Sequence, residues 1–117
     1  MLDIDYIVQW VDPAPGEIYH SFWIVPATLV FEDVFALTVD IEVPWGATID
    51  CVVRTPVTDV PPDSPTFDWA LECNEGHVTL RASGFTQYIR RSPLHVPKQR
   101  LSASERGGFS FNRARDP

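Results

Sequence analysis

The sequence is poor in the residues that staple small proteins together or hold metal ions: two cysteines, one methionine, three histidines and a single lysine in 117 residues. Cys51 and Cys73 stand far apart, and neither Cys-x-x-Cys nor His-x-x-x-His occurs, which excludes a zinc finger or ribbon as the organising element. No metal site and no cofactor is expected. The two thiols are expected to be reduced and to lie on the apolar faces of strands, where a free thiol behaves as a small hydrophobe. Long apolar runs are also missing. The longest, residues 22–31, is about half of what a membrane-spanning helix needs and is interrupted by Pro26. The opening Met1-Leu2-Asp3-Ile4-Asp5 lacks the basic start and apolar stretch of a secretory signal, so a cytoplasmic location and no membrane partner are expected. Gly-x-Ser-x-Gly is absent, and Gly107-Gly108 follows no strand, so neither a nucleophile elbow nor a phosphate loop is encoded.

What the chain does have is apolar and aromatic mass. It is 44% hydrophobic, with four Trp, seven Phe and three Tyr, enough to build one core without staples. Eleven prolines punctuate it. Its formal charge of −7 hides a division. Residues 1–80 carry fourteen acids against Arg54 alone, whereas residues 81–117 carry eight bases against Glu105 and Asp116. Either the basic segment lies back over the acidic part, or each part presents its own potential to a different partner.

Period-two alternation, which sends successive side chains to opposite faces of a sheet, recurs along the chain. Leu2, Ile4, Tyr6, Val8 and Trp10 share one parity, with Asp3, Asp5 and Gln9 on the other. Residues 18–31 are β-branched and aromatic, apolar on both parities around Phe22-Trp23-Ile24-Val25, and predict a strand either covered on both sides or presenting a binding face. Leu37, Val39, Ile41 and Val43 alternate with Thr38, Asp40 and Glu42. After Pro44-Trp45-Gly46 a further strand is expected over 48–54 with Ile49, Cys51 and Val53 inward, paired with its predecessor as a hairpin. Proline-rich residues 55–66 read as an exposed loop. Phe67, Trp69, Leu71 and Cys73, then Val78, Leu80 and Ala82, flank Asn74-Glu75-Gly76 and give the strongest hairpin signal. Residues 85–91 are either a last strand or a helical turn. Ser102, with Glu105 three residues on, signals a capped helical turn. The fold class expected is all-β, a single antiparallel sandwich or half-open barrel over residues 1–96, followed by a polar, basic extension over 97–117, partly docked or flexible.

The run Ser21 to Val34, with Phe67-Asp68-Trp69-Ala70-Leu71-Glu72 and Gly76-His77-Val78-Thr79-Leu80, is similar to small bacterial β-proteins, some of which sit among the immunity proteins of toxin systems. The similarity spans residues 20–92 and rests on core positions, so it implies a fold and a class of role but assigns no functional residue.

Three functional expectations follow. The first is a non-enzymatic domain that meets a basic protein through acidic strand faces at Asp40, Glu42, Asp68 and Glu72, an immunity-type role being the concrete version. The second is nucleic-acid binding through Arg90, Arg91, Lys98, Arg100 and Arg106, where arginines suit phosphate and neighbouring rings suit bases. The third is a small hydrolytic enzyme with its site under residues 55–66, near His20 or His77. The carboxylate pairs Asp3/Asp5, Asp40/Glu42 and Glu32/Asp33 are expected to be solvated strand faces.

Overall fold

The computed structural model describes residues 1–43, 46–61, 63 and 65–115. In chain order it contains β1 (Leu2–Val11), β2 (Ser21–Glu32), β3 (Phe35–Ile41), β4 (Ile49–Pro56), β5 (Phe67–Cys73), β6 (Gly76–Ala82), β7 (Gly84–Ile89), β8 (Leu94–Val96) and a one-turn helix, α1 (Ala103–Arg106). The strands form two antiparallel four-stranded sheets, one ordered β1-β2-β7 with β8 also on β2, the other β3-β6-β5-β4. The protein is all-β, as the alternation predicts, and neither sheet closes into a barrel. The chain divides into two compact units, Met1–Val30 with Thr86–Pro117, and Phe31–Phe85. Residues 97–115 belong to the first unit instead of trailing from it.

In the first unit β1 lies antiparallel to β2, with Asp3 opposite Thr28, Asp5 opposite Pro26 and Ile7 opposite Ile24. A bulge between Ile7 and Gln9 shifts the register, so that Trp10 faces Phe22. Such a bulge inserts one residue and reverses the parity of everything beyond it. Asp3, Asp5 and Ile7 therefore share the sheet face of Phe22 and Ile24, which form a buried cluster with Val96 and Leu101. The carboxylate pair expected in solvent lies beside the core, and Tyr6, Val8 and Trp10, expected inside, are exposed. β2 is buried on both faces from Ile24 to Val30, the covered-strand alternative. β8 places Val96 opposite Phe22.

After β8 the chain forms α1 with a complete capping box: the Glu105 backbone N–H donates to Ser102 Oγ at 3.2 Å, and the Ser102 N–H donates to Glu105 Oε1 at 2.9 Å. Gly107 (φ 75°) closes the turn, and a Cβ there would run into the Arg91 guanidinium.

In the second unit, β5 and β6 make the predicted hairpin, Cys73 opposite Gly76. Gly76 has φ 150°, and a Cβ on it would collide with the Asp40 carbonyl of β3. The other expected hairpin does not form. β3 pairs with β6 and β4 with β5, so β3 and β4 are the two outer strands of their sheet. Pro44 and Trp45 of the intervening turn lie outside the described residues. A bulge after Ile49 puts Val52 opposite Leu71 and Arg54 opposite Trp69, on the apolar face, and turns Cys51 and Val53 to the face of Glu72 and Ala70. This reverses the expected inward placement of Cys51 and Val53, whereas Ile49, before the bulge, stays opposite Cys73. Leu37 and Val39, also expected inward, are 59% and 61% exposed, because β3 is an edge strand that bulges at Ala36 (φ 53°). The unit's core is Trp69, Leu71, Leu80 and Ala82, with Phe31, Phe67 and Phe85 packed edge-on or tilted around the Trp69 and Phe31 rings. The Trp69 indole N–H donates to the Ala82 carbonyl at 3.1 Å, which satisfies its buried donor.

Candidate functional site

The registers of β3, β6, β5 and β4 lay the polar side chains of the second unit in rows across one face of its sheet. Asp40 stands opposite His77, His77 opposite Glu72 and Glu72 opposite Cys51. The next row is Thr38, Thr79, Ala70 and Val53, and beyond it Arg81 lies opposite Asp68. Directly opposed residues hold their Cβ atoms roughly 4.5–5.5 Å apart, so each row is a continuous strip of surface. Asp40, Glu42, Asp68 and Glu72 are all exposed. The sheet unites Asp40, Glu72 and Asp68 on one face, and Glu42 follows just past the end of β3, tied by its backbone N–H to the Glu75 carbonyl at 2.9 Å.

Arg81 is the cation of this face. Its Nε donates to Asp68 Oδ1 at 2.9 Å and its Nη1 to Asp59 Oδ2 at 3.1 Å. Hydrogen bonds to Asp59 and then Asp68 push its pKa above the ordinary guanidinium value. Asp68 and Asp59 share this one cation, and Asp40, Glu42 and Glu72 add their acidity to the same face. Arg54 does not offset them. Its guanidinium carbon lies 4.5 Å from the Phe67 ring centroid and 6.0 Å from that of Trp69, on the opposite face. Residues 31–85 hold ten carboxylates and two arginines, a formal −8, whereas the first unit holds six carboxylates and seven bases.

Two residues of the basic segment are not surface cations. Arg90 is 1% exposed and Arg106 5%. Asp3 Oδ1 accepts from Arg90 Nη2 at 2.7 Å and from Arg106 Nη2 at 2.6 Å, and Asp3 Oδ2 accepts from Arg106 Nη1 at 3.0 Å and from the Ser110 N–H at 2.9 Å. Asp5 Oδ1 takes Arg106 Nε at 3.1 Å, and its Oδ2 takes the Leu101 N–H at 3.1 Å. Two acids and two guanidinium groups balance inside the protein, where an unpaired charge would be prohibitive. Arg90 and Arg106 are therefore removed from the expected phosphate-binding set. Of the rest, Lys98 and Arg100 are exposed, and Arg91 packs against the end of α1. Arg115 donates to Ser92 Oγ at 2.6 Å, and Arg113 stands 5.9 Å from the Tyr88 ring.

A third arrangement gave no sequence signal. Where β8 meets β2, Ser21 Oγ lies 2.6 Å from His95 Nε2, and the His95 ring stacks on Trp23 with centroids 5.0 Å apart. The pair is separated by 74 positions, and only the β2–β8 register brings it together. On the other face of the same strand end, Trp10 meets His20 edge-on, and His20 Nε2 lies 3.3 Å from Asp12.

The thiols lie on opposite faces of adjacent strands, Cys51 exposed and Cys73 half-buried. Burial and, secondarily, Glu75 push the Cys73 thiol pKa up. No group of three or more His, Cys, Asp or Glu side chains converges to hold a metal among the described residues. A shallow hollow of about 220 Å³ lies beside Asp68, Thr79 and Arg81 where β3 bulges. That is below the roughly 300 Å³ at which ligand pockets begin. Compared with protein-family models, curated proteins and solved structures, the chain matches none.

Proposed function

We propose that the chain is a non-enzymatic binding domain that meets a basic protein partner through the acidic face of the β3-β6-β5 strands. The observation that carries this reading is the row Asp40–His77–Glu72, exposed across three adjacent strands of a unit with a formal −8 charge. A rigid sheet presents these carboxylates at fixed spacing, so little ordering is needed on binding, and the field steers a cationic partner to the face. The immunity-type role, in which the partner is a cationic toxin, is the concrete version. The double reversal Asp40→Lys/Glu72→Lys alters only exposed positions. With a partner captured from the source cell, association at low salt should slow by about tenfold or more and lose most of its salt dependence. An unchanged rate would remove this face as the contact.

A second reading draws on Ser21 and His95. A serine hydroxyl within hydrogen-bond reach of an imidazole nitrogen has the geometry of a nucleophile and its base, with Trp23 holding the ring in place of a carboxylate. A fluorophosphonate probe would label Ser21, and His95→Ala would abolish labelling. Labelling that is absent, or indifferent to His95, leaves the contact as a structural link between β2 and β8.

A further inference from the structure

On the acidic face of the second sheet, short and long side chains fall in separate rows. Thr38, Thr79, Ala70 and Val53 make a row of short ones between the row Asp40–His77–Glu72 and the pair Arg81–Asp68. Rows on one face repeat every two residues, roughly 7 Å along a strand, so a short row between two long ones leaves a trough. The hollow of about 220 Å³ lies there, lined by Ala70 and Thr79, by Ala36 of the β3 bulge, and by Asp68 and Arg81. It is too small for an ordinary small-molecule ligand and suits a single amino-acid side chain.

Asp68 and Glu72 flank Ala70 on β5, two residues to either side and on the same face. A cation seated over Ala70 is therefore within reach of both carboxylates, and neither is saturated. Asp68 gives Oδ1 to Arg81 Nε at 2.9 Å, whereas its Oδ2, like both oxygens of Glu72, accepts from none of the described residues. Arg81 lines the same hollow, but Asp59 and Asp68 both hold it, so the cluster stays net negative.

We propose that this trough seats one lysine side chain of the basic partner, an inference that rests on the acidic face being the contact. The aliphatic stem lies over Ala70 and Thr79 and the ammonium sits between Asp68 and Glu72, because long cationic side chains cover apolar surface with their stems and keep the charged head at a polar edge. Charge complementarity selects a cation, and the free acceptors select lysine over arginine. A guanidinium fork binds best to both oxygens of one carboxylate, and Asp68 has one of its oxygens committed to Arg81, so a fork could engage Glu72 alone. An ammonium takes one oxygen from each of the two carboxylates. The β5 backbone fixes the spacing of Asp68 and Glu72, so no loop has to be ordered on binding. An anchor side chain in a hollow of this kind carries a large share of an interface's affinity.

Amide chemical-shift mapping of the isotope-labelled full chain at low salt tests the inference, with blocked peptides of alternating lysine and glycine, or arginine and glycine, as probes. The lysine peptide should produce saturable shifts at Asp68, Ala70 and Thr79 and bind about threefold or more tighter than the arginine peptide. Ala70→Leu fills the trough and leaves every carboxylate in place, and it should weaken lysine-peptide binding about tenfold. Thr79→Leu fills the trough from β6 and serves if Ala70→Leu fails to fold. Lysine-peptide binding that is unchanged in a folded, filled variant would overturn the inference, as would equal binding of the two peptides. Shifts confined to Asp40, Glu42 and His77 would overturn the lysine seat while leaving the acidic face as the contact, whereas no saturable shift anywhere on that face would remove both.

Discussion

At the scale of single residues, the buried pairing of Asp3 and Asp5 with Arg90 and Arg106 is the most consequential arrangement in the first unit. Removing one partner leaves a buried charge uncompensated, which costs about 3–5 kcal/mol. Asp3→Ala should lower stability by that amount in urea titrations, because Asp3 alone receives both arginines and the Ser110 N–H. A loss below about 1 kcal/mol, the range of exposed pairs, would contradict the burial. The network also shows where sequence reading stops. A carboxylate at an odd position of an alternating strand is indistinguishable from a solvated one until its partner is known, and Arg106 is a hundred residues away in the chain. The thiols give a second check. Cys51 is exposed, whereas Cys73 is half-buried with a raised pKa, so iodoacetamide at mildly alkaline pH should modify Cys51 well before Cys73. Equal rates would contradict the bulge that turns Cys51 outward.

At the scale of elements, some local signals predict the structure and others do not, since the hairpin expected across residues 44–46 does not form. The 73/76 hairpin and the Ser102 cap rest on residues adjacent in sequence, and both formed as predicted. The pairing of β3 with β6 rests on the chain crossing past two intervening strands, which no short-range pattern encodes. Bulges in β1, β3 and β4 each reset the alternation, and an extra residue leaves the sequence pattern unmarked. The candidate site was legible as residue types, since Asp40, Glu72 and Asp68 do share an exposed face, but His77 between two of them emerged only from the register. α1 offers a prediction with a sign. Hydrogen bonds from the Ser102 backbone and side chain, aided by Lys98, hold the Glu105 pKa below its ordinary 4.5. A lowered folded-state pKa contributes stability that is present above 4.5 and lost as pH falls through the folded value. Amide protection of α1 should therefore drop on acidification below 4.5, and Glu105→Gln should flatten that dependence. Ser102→Ala should cost about 1 kcal/mol. Protection that is indifferent to pH in that window would mean that the carboxylate is not part of the cap.

At the scale of the molecule, the charge division seen in the sequence is resolved by a partition within the basic segment. Arg90 and Arg106 neutralise acids of β1, whereas Arg81 belongs to the acidic unit and answers Asp59 and Asp68. The acidity left exposed concentrates in residues 31–85. A chain ending at Arg100 would lose Leu101 from the core cluster and Arg106 from the buried quartet. Hydrogen exchange should then show β1 and β2 losing protection while the β5–β6 hairpin keeps its own, and uniform protection throughout would argue that residues 101–115 contribute little.

The division into Met1–Val30 with Thr86–Pro117, and Phe31–Phe85, also bears on how the molecule comes into being. Translation delivers the acidic sheet as one uninterrupted length, free to organise as soon as it leaves the ribosome. The buried quartet of the other unit has no such freedom, because the acids of β1 are answered by arginines made some ninety to a hundred residues later and the network closes only once those are present.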